Sequence, residues 1–183
     1  MTNDNGPRAI LVTGGARSGK SRFAERLVME SGLEKVYVAT GAAHDGEMAE
    51  RIAAHRGRRG ADWQTVEEEL DLEPVLRREA RPGRAILVDC LTLWLSNLLF
   101  AERDVASESA RLCETVSALA GPCIFVTNEV GMGIVPDNRL SRSFRDAQGR
   151  LNQDMAEACG KVVLVAAGQP LLLKPSSQPE FRL

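Results

Sequence analysis

The sequence predicts an α/β fold in which a mostly parallel central sheet is covered by helices on both faces. Short runs that are apolar throughout alternate along the chain with longer segments of helical periodicity. Such runs are typical of buried parallel strands, and their alternation with helices is typical of strand–helix–strand units. With 183 residues, the chain is long enough for one domain with a full core and hardly long enough for two. We therefore expect a single domain over residues 1–183, with ligands bound beyond the carboxyl ends of the strands.

The first strand leads into a stretch that fits the pattern G-x-x-x-x-G-K-[ST]. Ala9–Thr13 is the strand and residues 21–31 form an amphipathic helix, which is the context that a phosphate-binding loop requires. Loop N–H groups and the helix N-terminus would surround a polyphosphate. Lys20 would reach the β- and γ-phosphates, and the Ser21 hydroxyl would bind Mg²⁺. A chance match is the weaker alternative, so we predict a three-layer fold of the phosphate-loop NTPase type. The nucleotide-binding residues of this phosphate loop are Gly14, Gly15, Ala16, Arg17, Ser18, Gly19, Lys20 and Ser21.

The other elements follow in order from the apolar runs and the helical periodicity. Further strands are predicted at 35–40, Arg84–Asp89, 122–127 and Lys161–Ala166. Helices are predicted at 45–56, 70–81, Leu91–Phe100, 105–119 and 138–159. Residues 63–69 are ambiguous, and residues 171–173 are a candidate edge strand before a Pro-rich tail.

Composition excludes several functional classes. The net charge is −2, so bulk electrostatics do not favour nucleic acid or an anionic membrane. No apolar run approaches the length of a membrane span. Residues 1–8 form a polar leader without the apolar core of a signal peptide, and residues 175–183 form a tail, so a cytoplasmic protein is expected. The four cysteines lack C-x-x-C spacing, which favours buried free thiols over a zinc site or a redox pair.

Polar residues that end predicted strands are candidates for the site. Asp89 closes an apolar strand, and in phosphate-loop enzymes such an acid holds Mg²⁺ together with the loop hydroxyl. We expect it about one strand spacing from Ser21; the alternative is a solvated acid. Asn128 and Glu129 follow the next strand and introduce residues 130–136, which contain two glycines and a proline. This segment is either a substrate wall or only a tight connection, and the sequence leaves both open.

The segment after the second strand contains an unusual group of residues. Glu47, Arg51 and His55 fall four residues apart on one face of the predicted helix. Neutral imidazole is a competent nucleophile toward phosphorus, but on spacing alone a solvated face with an ordinary ion pair is the better interpretation. The other histidine, His44, is interpreted as exposed and structural. Thr40, Gly41 and Ala42, before this helix, are small and could let a nucleotide lie against the backbone. Arg56, Gly57, Arg58 and Arg59, after His55, form a cationic cluster.

Several motifs occur together and in order, and the combination resembles a known family. They are the phosphate loop, Glu47-Met48 with Arg51-Ile52 and His55, Asp89-Cys90-Leu91-Thr92, and the run from Asn128 to Pro136. The combination is similar to the bifunctional adenosylcobinamide kinase / adenosylcobinamide-phosphate guanylyltransferases of cobalamin biosynthesis, over roughly residues 9–170. The resemblance implies a phosphate-loop α/β fold and two reactions. ATP or GTP would phosphorylate adenosylcobinamide, and GTP would then transfer GMP to adenosylcobinamide phosphate with release of pyrophosphate.

The resemblance also implies roles for individual residues. His55 resembles the histidine that becomes guanylylated; some relatives have two adjacent histidines here, whereas this chain has Ala54 before it. Lys20 would act in catalysis, and Ser21 with Asp89 would bind Mg²⁺. Further nucleotide contacts are implied for Thr40, Gly41, Ala42, Arg56, Gly57, Arg58, Arg59, Glu67 and Asp89. The family also suggests a homotrimer with Leu91–Phe100 partly at subunit contacts.

Three alternatives remain at this level. One is a plain small-molecule kinase in which His55 takes no part. Another is a phosphate-loop ATPase of a binding or motor class, for which the sequence lacks a basic stripe. The last is an enzyme that retains only the transferase activity.

Overall fold

The sheet of this protein has seven strands in the order β3-β2-β4-β5-β1-β6-β7. The computed structural model describes residues 8–41, 60 and 62–176. The strands are β1 (Ala9–Thr13), β2 (Glu34–Ala39), β3 (Trp63–Glu67), β4 (Arg84–Asp89), β5 (Cys123–Val126), β6 (Lys161–Ala166) and β7 (Gln169–Lys174). The helices are α1 (Lys20–Glu30), α2 (Leu72–Glu79), α3 (Leu91–Phe100), α4 (Val105–Ser117) and α5 (Arg139–Ala158).

All neighbouring strands pair in parallel except β6 and β7, which pair antiparallel. The central strands carry buried side chains on both faces because each face packs against helices. On one face, Val28 of α1 packs into a cluster with Val12 and Leu87. On the other, Trp94 of α3 and Met155 of α5 join a larger cluster. The predicted α/β fold with a mostly parallel, doubly covered sheet is confirmed.

The predicted elements agree closely with the observed ones where the chain is described. The bounds of β1, β4, α3 and β6 are as predicted, and the remaining predicted elements differ by at most two residues at either end. The ambiguous residues 63–69 contain β3, which pairs with β2 from Lys35 opposite Trp63 to Ala39 opposite Glu67. The candidate edge strand at 171–173 is the centre of β7. The predicted helix 45–56 lies outside the described residues.

The strand order bears on the expected spacing between Asp89 and the phosphate loop. Asp89 was expected about one strand spacing from the phosphate loop, but β5 lies between β4 and β1. Asp89 is opposite Val126, and Val126 is opposite Val12. Strands β4 and β1 are therefore two strand spacings apart, about 10 Å, and the spacing between Asp89 and Ser21 itself stays a prediction. The order of strands in a sheet depends on how helices α3 and α4 cross over, which the position of a strand in the sequence does not reveal.

Helix α3 is apolar because it lies in the core of its own subunit. Leu91, Trp94, Leu95 and Leu98 are each almost fully buried, and Trp94 and its neighbours belong to the larger core cluster. Phe100, the last residue of the helix, is largely exposed. Intramolecular packing thus accounts for most of the apolar residues of α3.

The described cysteines are free, as predicted. Cys90, Cys123 and Cys159 are buried, and Cys113 is half-buried. Burial is the main cause that raises the thiol pKa of Cys113 to about 11 and that of Cys159 to about 12. Thiols with such pKa values are poor nucleophiles at neutral pH. Separately, every helix among the described residues is too short or too polar to cross a bilayer.

Candidate functional site

The phosphate loop joins β1 to α1 in a tightly constrained conformation. Gly14 has φ 156° and Gly19 has φ 95°. A Cβ atom on Gly14 would lie 2.4 Å from the carbonyl oxygen of Val165, and one on Gly19 would lie 3.2 Å from Cα of Gly168. Both positions therefore require glycine, because the loop passes against the backbone of β6 and of the turn that follows it.

Backbone hydrogen bonds hold this loop from two sides. The amide of Gly168, in the β6–β7 turn, donates to the carbonyl oxygen of Ser18 at 2.8 Å. The amide of Glu129, just after β5, donates to the carbonyl oxygen of Gly14 at 3.1 Å. The loop is thus fixed to the segments on either side of it, which is the preorganisation that phosphate binding needs.

Lys20 and the start of α1 provide the positive charge. The Nζ of Lys20 donates to the carbonyl oxygen of Gly15 at 3.0 Å, so the side chain folds back over the loop. Gly19 is the N-cap residue of helix α1, and no side chain among the described residues caps the helix, so no side chain competes for its first N–H groups. The buried hydroxyls of Thr13 and Ser18 also have no hydrogen-bond partner in the described part of the chain. Cation, helix terminus and free donors together make an anion site.

Asp89 and Lys20 both lie within electrostatic range of Cys90. The hydroxyl of Tyr37 on β2 donates to Asp89 Oδ2 at 3.3 Å. The adjacent thiol of Cys90 has a pKa raised to about 11, first by burial and then by Asp89, whereas Lys20 lowers it. The Cys90 thiol therefore responds to both the Asp89 carboxylate and the Lys20 ammonium group, although β4 and β1 are two strand spacings apart. The structure brings Asp89 and the phosphate loop to the same edge of the sheet.

Thr40 has a structural role that the sequence did not reveal. Its side chain is fully buried. The hydroxyl donates to the carbonyl oxygen of Cys90 and accepts from the amide of Cys90, both at 2.8 Å. The side-chain amide of Asn97 donates to the Thr40 carbonyl oxygen at 2.7 Å. Thr40 thus ties the end of β2 to the end of β4, and its predicted nucleotide contact remains a prediction.

The remaining predicted nucleotide contacts divide into two groups. Glu67 ends β3 opposite Ala39, so it lies at the same carboxyl edge as Gly41 and Asp89. Among the described residues, this edge therefore brings together the phosphate loop, the end of β2, Glu67 and Asp89. The predicted site residues that lie outside the described residues are Ala42, His55, Arg56, Gly57, Arg58 and Arg59.

A buried polar network supports the segment after β5, and sequence analysis missed it. The Thr127 hydroxyl donates to Asn152 Oδ1 at 2.6 Å, and Gln148 Nε2 donates to the Thr127 hydroxyl at 3.0 Å. Asn152 Nδ2 donates to the carbonyl oxygen of Asn128 at 3.0 Å. A signal was present: Gln148 and Asn152 are four residues apart beside the apolar stripe of α5.

The oxygen donors at this edge are of the kind that Mg²⁺ takes. A serine hydroxyl from Ser21 and the carboxylate of Asp89 are hard ligands, and magnesium is usually held by few protein oxygens together with substrate phosphates. In the described ranges there is no group of three or more His, Cys, Asp or Glu side chains that would form an all-protein metal cage. The donor set therefore fits a cation that arrives with a nucleotide.

Comparison with known proteins identifies a family and similar proteins. Residues 10–173 match the family described as cobinamide kinase / cobinamide phosphate guanyltransferase. The chain is 52% identical over 166 residues to the bifunctional adenosylcobalamin biosynthesis protein CobP of Pseudomonas aeruginosa, covering 90% of this chain and 96% of that protein. It is 42% identical over 180 residues to the corresponding CobU protein of Salmonella typhimurium, covering 90% and 99%.

A likeness to a solved structure concerns the fold alone. An ATPase from the type III secretion system of pathogenic bacteria superposes with a TM-score of 0.52 at 10% identity, covering 87% of this chain and 51% of that one. The predicted phosphate-loop NTPase type of fold is confirmed by this match.

Proposed function

The chain belongs to the cobinamide kinase / cobinamide phosphate guanyltransferase family, and from this premise we propose how its residues carry out the two reactions. It is a bifunctional enzyme of adenosylcobalamin biosynthesis. The observation that carries the assignment is the family match over residues 10–173, together with a phosphate loop in which both tight glycines and Lys20 are in place. A motor ATPase is no longer an alternative.

In the kinase reaction, a hydroxyl oxygen of adenosylcobinamide attacks the γ-phosphorus of ATP or GTP and loses its proton to solvent. The bond from that phosphorus to the bridging oxygen breaks, and ADP or GDP leaves. The N–H groups of the phosphate loop orient the phosphates, and Lys20 balances the charge on the leaving oxygen. Mg²⁺, held by the Ser21 hydroxyl and the Asp89 carboxylate together with the nucleotide, would supply further positive charge. Catalysis in this step is positioning and charge stabilisation, and it needs no protein nucleophile.

In the guanylyltransferase reaction, neutral His55 attacks the α-phosphorus of GTP. A bond forms from the imidazole nitrogen to that phosphorus while the bond to the bridging oxygen breaks and pyrophosphate leaves. A phosphate oxygen of adenosylcobinamide phosphate then attacks the same phosphorus and displaces the imidazole, which gives adenosyl-GDP-cobinamide. This role of His55 is supported by the sequence resemblance and by the nucleophilicity of neutral imidazole.

Mass spectrometry of the protein after incubation with GTP and Mg²⁺ tests this role. The wild-type protein should gain the mass of GMP, and the adduct should survive alkali but not mild acid, as a phosphorus–nitrogen bond does. Labelling should fall as the pH drops below about 6.5, the ordinary pKa of imidazole, because the protonated ring has no free lone pair.

Two matched variants sharpen this experiment. His55→Asn should lose the adduct and guanylyl transfer but keep much of the kinase activity, whereas His44→Asn should behave as wild type. An adduct that persists in His55→Asn and disappears in His44→Asn would move the nucleophile to His44. Transfer without any adduct would mean direct attack by the substrate phosphate.

We further propose that the enzyme acts in the cytoplasm as a homotrimer. The packing of α3 restricts its contribution to a subunit contact, since Phe100 is the one strongly exposed side chain of that helix. Light scattering at micromolar concentration measures the assembly directly, and a monomer there would refute the trimer.

A further inference from the structure

Residues 130–136, the apolar loop, form an exposed surface at the carboxyl edge of the sheet. Their sequence is V-G-M-G-I-V-P, without a charged or polar side chain. Met132 is 84% exposed, Ile134 is 97% exposed and Val135 is 63% exposed. Neighbouring large apolar residues exposed to this extent are uncommon on a free surface and mark a place where a ligand or a partner binds.

Hydrogen bonds hold the beginning of the apolar loop. The amide of Asn128 donates to the buried Thr92 hydroxyl at 2.9 Å, and its carbonyl oxygen accepts from Asn152. The amide of Gly131 donates to Glu129 Oε1 at 2.6 Å.

The end of the apolar loop is held equally well. Arg142 Nη1 donates to the carbonyl oxygens of Pro136 at 2.9 Å and of Asp137 at 2.7 Å. Asn138 caps α5 by accepting from the amide of Ser141 at 2.8 Å. The exposed side chains are therefore presented by a backbone that is fixed at both ends.

The position of the apolar loop relates it to the nucleotide site. It follows β5, which lies between β4 and β1, so it stands between Asp89 and the phosphate loop. The amide of Glu129, the residue before the apolar loop, donates to the carbonyl oxygen of Gly14 in the phosphate loop. An acceptor that meets a nucleotide held by the phosphate loop would therefore do so beside this surface.

We propose that the apolar loop binds the corrin macrocycle of the cobinamide substrates, with Met132, Ile134 and Val135 packed against its methyl and methylene groups. The inference rests on the proposed function, because both reactions there use a corrinoid. The corrinoid is the reactant with a large apolar surface, whereas the phosphate loop already serves the phosphates of the nucleotide. A surface without charge accepts the neutral alcohol of the first reaction and the anionic phosphate of the second. A second protein copy seated on the loop would instead cover the mouth of the site.

The test compares two methionine substitutions. Met132→Ser, alone and combined with Ile134→Ser, alters the apolar loop. Met29→Ser alters a methionine that is 51% exposed in the last turn of α1, far from the site. The binding probe is adenosylcobinamide in equilibrium dialysis, followed by its visible absorption. The second readout is the KM of the kinase reaction for adenosylcobinamide and for GTP.

We expect the double variant to raise both the Kd and the KM for adenosylcobinamide about tenfold or more, since it removes the burial of two apolar side chains. The KM for GTP and the formation of the GMP adduct should not change, and Met29→Ser should match wild type. An unchanged corrinoid Kd in the double variant, or an equal loss in Met29→Ser, would overturn the inference. A lower molar mass of the double variant in light scattering would overturn it too, because the loop would then be a subunit contact.

The wild-type reactions separate this inference from the proposed function. If wild-type protein neither phosphorylates adenosylcobinamide nor forms a GMP adduct, the proposed function fails. If wild type is active and the double variant binds adenosylcobinamide normally, only the role of the apolar loop fails.

Discussion

The phosphate loop and the apolar loop follow neighbouring strands at the same edge of the sheet, yet they present opposite chemistry. The phosphate loop offers backbone N–H groups, the ammonium of Lys20 and glycines in close contact with β6. The apolar loop offers no polar side chain and exposes Met132 and Ile134 almost fully. A backbone hydrogen bond joins Glu129, the residue before the apolar loop, to Gly14 of the phosphate loop.

The difference shows how one sheet edge can receive two unlike reactants. Binding at the phosphate loop depends on charge, so it should weaken with salt and depend on Mg²⁺. Binding at the apolar loop depends on the apolar area that is buried, so it should change little with salt or with Mg²⁺. Substitutions that weaken nucleotide binding but not corrinoid binding, or the reverse, therefore test this difference between the two loops.

The largest effect is expected from Lys20→Ala. It removes the cation that both reactions use, so the kinase and the guanylyltransferase rates should each fall about 10²–10³-fold, while adenosylcobinamide binding in dialysis stays unchanged. Lys161→Ala, an exposed lysine at the opposite edge of the sheet, is the control. Near wild-type rates for either reaction in Lys20→Ala would mean that the two reactions do not share one nucleotide site.

The next effect is expected from Asp89→Asn. The amide is a weaker ligand for a hard cation, so the Mg²⁺ concentration for half-maximal activity should rise roughly a hundredfold, at least as much as loss of an outer-shell partner costs. Urea denaturation should show little change, because Asp89 ends its strand at the ligand edge. Asp154→Asn, exposed on α5, is the control. An unfolded variant with an unaltered Mg²⁺ response would assign Asp89 a structural role instead.

A smaller effect is expected from Asn152→Leu, which removes the support of the apolar loop. Leucine leaves Thr127, Gln148 and the Asn128 carbonyl oxygen without this partner, so the free energy of unfolding should fall by about 1–3 kcal/mol. The KM for adenosylcobinamide should rise while that for GTP does not. Gln153→Leu, on the exposed side of the same helix, controls for the added leucine. Equal changes in both KM values would show that the two loops are not independent.

The smallest effect is expected from Tyr37→Phe. Its hydroxyl reaches Asp89 through a bond of 3.3 Å, which is long, so its loss should cost about tenfold or less in apparent Mg²⁺ affinity. A Mg²⁺ titration of GTP binding, measured without turnover, separates this from a loss of activity. Since Tyr37 is the single tyrosine of the chain, tyrosine absorbance confirms the substitution. A Mg²⁺ titration identical to wild type would show that Tyr37 does not orient Asp89.

Much of this protein was determined by local sequence. The apolar runs predicted the strands, because a strand buried on both faces has few alternatives to Val, Ile, Leu and Ala. The phosphate loop was predicted because its spacing encodes a backbone geometry, and the structure shows the reason in the close contacts of Gly14 and Gly19. Asp89 was identified as a candidate because it is the acidic residue that ends an apolar run, which is also a local feature of the sequence.

Tertiary structure alone decided what depends on neighbours distant in sequence. The crossovers place β5 between β4 and β1. The sequence of a single strand does not reveal its neighbours in the sheet. The predicted nucleotide contact of Thr40 stays a prediction, and only the structure shows that its hydroxyl is bonded to the backbone of Cys90, fifty residues away in sequence. From their sequence, residues 130–136 were interpreted equally well as a wall of the substrate site or as only a tight connection. Only the structure shows that Met132, Ile134 and Val135 are exposed, because burial is a property of the surroundings and not of the side chain.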